Sequence, residues 1–185
     1  MQEKEIRAVY TKETVRVYQA YNSIIAAEAV RLGTFGAHFS LTRMTWIKPS
    51  FLWMMYRCGW AEKAGQEHVL AIDIRRSGFD SAVSQAVISS YRPECGLTKA
   101  QWQAAVQTSD VRVQWDPEKD VNGENLPYRS IQLGLRGQAV RDYVSDWITG
   151  ITDITEQVRT MNRRRLAGED ITPLLPPEQP YPLKG

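Results

Sequence analysis

The chemistry-bearing residues of this 185-residue chain are densest between residues 43 and 60, a stretch holding three of the six tryptophans and three of the five methionines. Trp46 stands there between two cations, Arg43 and Lys48, just ahead of Pro49. An indole flanked by positive charge suits stacking on a base or nicotinamide ring while phosphate is neutralised. A helix beginning at Pro49 adds free N–H groups that favour anions. Phe51, Leu52, Met54 and Met55 leave that helix apolar on most faces, which marks burial. For Trp46 itself, packing competes with ligand contact.

Two strand-like segments carry polar residues in alternation. Over residues 128–135 the period of two sends Ile131, Leu133 and Leu135 to one face and Tyr128, Ser130, Gln132 and Gly134 to the other. The small Gly134 beside Gln132 and Tyr128 leaves room for a flat ligand against the sheet. Over residues 15–21, Gln19 aligns with Val15 and Val17, and Arg16 aligns with Tyr18. A solvated sheet face is the alternative in both cases.

The familiar phosphate, zinc and serine-hydrolase motifs are absent from the sequence. His38 lies on a glycine-rich connection with no visible partner. Cys58 and Cys95 have no CxxC neighbour, and the only histidines are His38 and His68, so the expectation is reduced structural thiols and no metal. His68, Asp73 and Cys58 are the one set that could gather round an ion. Asp73, Asp116 and Glu124 offer no assignable catalytic pair, and Arg163 to Arg165 read as a solvated helix end.

These residues need elements to position them. A turn at Thr11-Lys12-Glu13-Thr14 joins strands over 5–10 and 15–21, and Asn22 or Ser23 caps a helix stopped by Gly33. Residues 34–48 read as irregular, followed by a helix to Cys58 and a strand over 69–75. Helices follow over 78–89 with Asp80 as cap, and from the capping box at Thr98. Strands at 111–115 and 128–136 precede helices over 138–148 and 155–166. The order predicts an α+β fold, a single compact domain with two small, mainly antiparallel sheets and flanking helices. Five of the nine prolines fall in residues 167–185, read as an extended tail beyond a domain of residues 1–166.

Composition narrows the class. Hydrophobic residues are 43% and charged residues 24%, with a net charge of +2, so the chain is globular and too weakly basic for an extended polyanion partner. Neither a membrane span nor a secretory leader is evident, and the expected location is the cytoplasm, with no membrane partner.

The strings Ile6-Arg7-Ala8-Val9-Tyr10, Arg16-Val17-Tyr18-Gln19-Ala20-Tyr21, Thr45-Trp46-Ile47-Lys48-Pro49-Ser50-Phe51 and Pro127-Tyr128-Arg129-Ser130-Ile131-Gln132 resemble the family known as domain of unknown function 4291. A more distant likeness is to ADP-ribosyltransferases, on Val17-Tyr18-Gln19-Ala20-Tyr21 followed by a capped helix ending at Gly33. That resemblance implies NAD as a candidate substrate in a cleft between two sheets. It gives Gln19 or Arg16 the ribose contact, Thr45 or Trp46 the place beside nicotinamide, and Gln132 the late-strand contact. Arg16, Arg43 and Lys48 would neutralise pyrophosphate. Tyr18 or Trp46 would stack, with Tyr128 and Ser130 nearby. Gln replaces the usual His, and the late strand has no Glu. The resulting expectation is nucleotide binding with ADP-ribosyl transfer to an unknown acceptor. The alternative is a non-catalytic module for single-stranded nucleic acid or a modified nucleotide.

Overall fold

Strand β3 (Thr14–Tyr21) and strand β5 (His68–Arg75) form the spine of the computed structural model, which describes residues 3–183. They pair antiparallel along their full length, and β9 (Ile148–Asp153) adds to the far edge of β5. The two faces of this three-stranded sheet pack differently. Val15, Val17, Leu70, Ile72 and Ile74 enter one hydrophobic cluster, while Tyr18, Val69 and Ala71 enter another. Apolar residues at consecutive positions of β5 follow from that double burial.

The first cluster is closed by a five-stranded sheet. Its long strand β8 (Asn125–Leu135) pairs with β7 (Val111–Lys119) on one edge. The other edge is shared by β1 (Glu3–Lys4) and β4 (Thr45–Ile47), at opposite ends of β8. A short β6 (Val87–Ile88) runs parallel to β7 outside it. Ile131, Leu133 and Leu135 face this cluster as their alternation requires. Mixed helices and sheets in one domain agree with the α+β expectation.

Asn22 caps helix α1 (Ser23–Leu32), accepting from Ile25 N–H at 3.0 Å, and Gly33 ends it at φ 72°. Helix α2 is Phe51–Cys58, and its cap is Ser50 rather than Pro49: the Ser50 hydroxyl accepts from Trp53 N–H at 3.1 Å. Helix α4 (Lys99–Thr108) carries the full Thr98–Gln101 capping box. Helix α6 (Thr155–Leu166) covers the second cluster with Val158 and Met161.

Further expectations change. Residues 45–47, read as irregular, are strand β4, because β8 supplies a register partner for a run too short to announce itself. Helix α3 (Arg76–Gln85) leaves β5 directly, so Asp80 lies inside it and accepts from the Tyr181 hydroxyl at 2.6 Å instead of capping. The helix read over 138–148 is α5 (Gly137–Asp142) followed by a π turn over Tyr143–Trp147. Trp147 lies against Gly78, where a Cβ would come within 2.5 Å of the indole.

The proline-rich segment lies along the domain. Ile171 and Tyr181 are buried in the second and first clusters, and β10 (Gln179–Pro180) pairs antiparallel with β2 (Arg7–Ala8). No helix among the described residues is long and apolar enough to cross a membrane.

Candidate functional site

The two sheets meet at the outer edge of β3. Tyr18 N–H donates to the Lys48 carbonyl at 2.8 Å, one residue past β4, so the middle of β3 is held beside the end of β4. A cavity of about 420 Å³ opens at this junction, bounded by both strands, helix α2 and the connections at residues 38–44 and 65–66. Five of the ten residues singled out from the sequence line it: Gln19, Arg43, Thr45, Trp46 and Lys48.

Gln19 is buried and fully engaged. Its carbonyl accepts from the Tyr143 hydroxyl at 2.6 Å, and its amide nitrogen donates to the Tyr21 hydroxyl at 2.9 Å and the Trp46 carbonyl at 3.1 Å. Burial pushes the Tyr143 phenol well up, so it stays a donor. The Gln19 amide therefore braces the cavity wall. Thr45 is also buried, one residue ahead of Trp46.

Trp46 pairs with Gly134 across the β4–β8 edge. A Cβ at Gly134 would fall 2.9 Å from the Trp46 ring and 2.7 Å from Met44 Sδ. The space expected for a flat ligand at Gly134 is thus filled by the chain's own indole and thioether. Tyr21 and Phe39 add aromatic surface, edge to face with centroids 6.0 Å apart.

Lys48 is only 5% exposed yet lines the cavity. Its ammonium lies over the Trp53 ring, 5.1 Å from the centroid. Burial, reinforced by Arg57, pushes the Lys48 amine down to about 8; Asp116 opposes this through space without a hydrogen bond. Arg57, on the same helix as Trp53, also lines the cavity, as does His38. The His38 ring sits 3.1 Å from Glu28, whose carboxylate also accepts from His38 N–H at 3.0 Å. No carboxylate is among the residues lining the cavity. Its electrostatics are those of an anion site.

The other five residues lie elsewhere. Gln132 donates at 2.6 Å to both Gln114 and Asp116 on β7. Those partners line a separate groove of about 610 Å³ with Lys4, Arg92 and Arg129. Early and late amides do not meet in one cavity: period two placed Gln132 on its face correctly, but neighbouring β7 side chains claim its amide. Arg16 makes a two-pronged ion pair with Asp73 on β5, both contacts at 2.9 Å, and is not among the residues lining the cavity. Tyr18 is buried in the second cluster, its hydroxyl without a hydrogen-bond partner.

Ser130 and Tyr128 belong to a buried acidic cluster that the sequence did not reveal. Glu118 accepts from the Ser50 hydroxyl at 2.8 Å and hydrogen-bonds Ser130, and burial pushes its carboxyl up. Glu178, from the proline-rich segment, accepts from Phe51 N–H at 2.7 Å; burial, with Glu118 nearby, pushes it up to about 8. Tyr128 is half-buried beside them, its phenol raised by burial and Glu118.

Arg57 and Tyr143 are the site residues missed. Arg57 had a signal, four positions after Trp53 on one helix face. Tyr143 had none, since its helical spacing marks only burial. The set His68, Asp73 and Cys58 does not assemble: His68 faces Asp153 at 3.2 Å, Asp73 holds Arg16, and Cys58, the last residue of α2, is buried in the second cluster. Among the described residues no cluster of three His, Cys, Asp or Glu could hold a metal ion.

No curated protein and no solved structure matches the chain. A family model does, over residues 5–181, nearly the whole chain, and the protein belongs to the family described as Domain of unknown function (DUF4291).

Proposed function

We propose that this protein binds a nucleotide in the cavity at the sheet junction, with NAD or ADP-ribose as the ligand class. The observation that carries this is the lining: Arg43, Arg57 and Lys48 share it with Trp46 and Phe39, and no carboxylate is among the described lining residues. Arg43 and Arg57 are exposed guanidiniums free to meet phosphate oxygens in pairs. The aromatic side chains supply stacking surface for a base or nicotinamide. A volume of about 420 Å³ lies within the roughly 300–1,000 Å³ typical of small-molecule sites.

ADP-ribosyl transfer to an unknown acceptor remains the enzymatic form of this proposal. Gln19, the one glutamine of the predicted catalytic set that lines the cavity, would hold the wall against which the ligand lies rather than contact the ribose, since Tyr143, Tyr21 and Trp46 occupy its amide, and Gln132 is held by β7.

The test is a thermal-shift panel of NAD, ADP-ribose and a short single-stranded oligonucleotide. Ligand at 100 times its Kd should stabilise the fold by about 2.7 kcal/mol. The expected result is stabilisation by NAD or ADP-ribose that Arg43→Ala and Arg57→Ala abolish. Silence toward both nucleotides, with a salt-sensitive response to the oligonucleotide, overturns the proposal in favour of a nucleic-acid module.

A further inference from the structure

Lys48 is more than nine-tenths buried, makes no side-chain hydrogen bond among the described residues, and is one of the residues lining the cavity. Burying an unpaired ammonium is costly, so such an amine is either neutral or awaiting a partner. The groups acting on it are Arg57 and Cys58 from α2 and Asp116 from β7, with the Trp53 ring face below it. Arg43 and Arg57 stand at the same cavity and attract an anionic ligand before the amine meets it. The Cys58 thiol is buried and directed to the Met55 carbonyl, and Lys48 carries the one amine among the described lining residues.

We propose that Lys48 Nζ forms an imine with the open-chain aldehyde of a phosphorylated sugar, the terminal ribose of ADP-ribose or ribose 5-phosphate, whose phosphate is held by Arg43 and Arg57. The Nζ lone pair adds to the aldehyde carbon, forming the C–N bond as the C=O π bond opens. The carbonyl oxygen takes a proton from nitrogen, giving a carbinolamine. Loss of that hydroxyl with the second N–H proton, as water, gives the imine. Atoms and electrons balance with no oxidant or reductant. Carbonyl condensation fits this lining better than displacement at phosphorus, which calls for a divalent cation held by carboxylates that the lining does not include.

The phosphate contacts rest on the nucleotide-binding proposal; the amine chemistry is tested separately from it. The full chain is incubated with ADP-ribose or with ribose 5-phosphate, reduced with borohydride, and mapped by peptide mass spectrometry. Exposed Lys12, Lys63 and Lys99 serve as internal controls. At pH 8 the expected adduct at Lys48 exceeds that at each control by about tenfold or more, because exposed amines there are almost wholly protonated. Its yield should level off above pH 8, while the control yields keep rising toward pH 10. Lys48→Arg keeps the charge and should lose the selective adduct. Selective labelling by ribose 5-phosphate with no thermal shift from NAD or ADP-ribose would support the imine and reject the nucleotide. A thermal shift from ADP-ribose with labelling no greater at Lys48 than at the controls overturns the imine and leaves nucleotide binding standing. Uniform labelling with both sugars overturns it as well.

Discussion

The Tyr143 hydroxyl donates to the Gln19 carbonyl at 2.6 Å, tying residues 124 positions apart in sequence into one wall of the cavity. Both side chains are buried, and the amide passes the constraint on to the Trp46 carbonyl at 3.1 Å. Tyr143→Phe leaves the Gln19 oxygen without this donor at almost unchanged volume. The expected loss is about 1–3 kcal/mol, read from the denaturation midpoint. Gln19→Leu removes the orphaned acceptor, so the double variant should lose less than the two single variants added together.

Gly134 underlies Trp46. In Gly134→Ala the new methyl falls 2.7 Å from Met44 Sδ and 2.9 Å from the indole, so the ring must shift. A loss of about 1–3 kcal/mol is expected. Tryptophan fluorescence should change, and the Kd for ADP-ribose should rise by more than the stability loss alone explains. Unchanged fluorescence would mean that the ring does not rest on this glycine.

Arg16 and Arg57 make opposite predictions. Arg57 faces the cavity, so Arg57→Ala should weaken ADP-ribose binding by about 10- to 100-fold, the worth of a charged hydrogen bond. Arg16 is committed to Asp73 on the neighbouring strand, so Arg16→Ala should leave that Kd within about twofold and act only modestly on stability. Isothermal titration of both variants distinguishes them, and equal weakening would place the phosphate elsewhere.

Glu178 makes stability depend on pH. Its carboxyl is raised to about 8 by burial and by Glu118, while Phe51 N–H and Arg7 oppose. A raised folded value means the contribution is complete below the unfolded value of about 4.3. It is lost as pH rises to about 8. Across that window the unfolded chain holds fewer protons than the folded one, so stability falls with pH. Glu178→Gln keeps an oxygen for Phe51 N–H and removes the charge, and should flatten the fall. The variant should melt above the wild type at pH 8 and near it at pH 4.5. Chemical denaturation at several pH values reads both slopes.

Local pattern carried much of the fold. The Asn22 and Thr98 caps, the Gly33 stop and the alternation through Ile131, Leu133 and Leu135 depend on neighbours within a few residues, and each could be read directly. Strand β4 could not, since three residues show no period and only β8 gives them partners. The same limit hid Glu178, which is one acid among prolines until its segment folds back to Phe51.

For the cavity, sequence alone supplied the cluster of Arg43, Trp46 and Lys48, because residues so close along the chain stay near one another however the segment folds. Whether Gln19 or Gln132 joined them was decided in three dimensions. The Tyr18–Lys48 backbone bond draws β3 to β4 and brings Gln19 in, while Gln114 and Asp116 keep Gln132 on the β7 side. Periodicity says which face of a strand a side chain takes; which partner then claims its hydrogen bonds depends on chains distant in sequence, and that only the packed structure specifies.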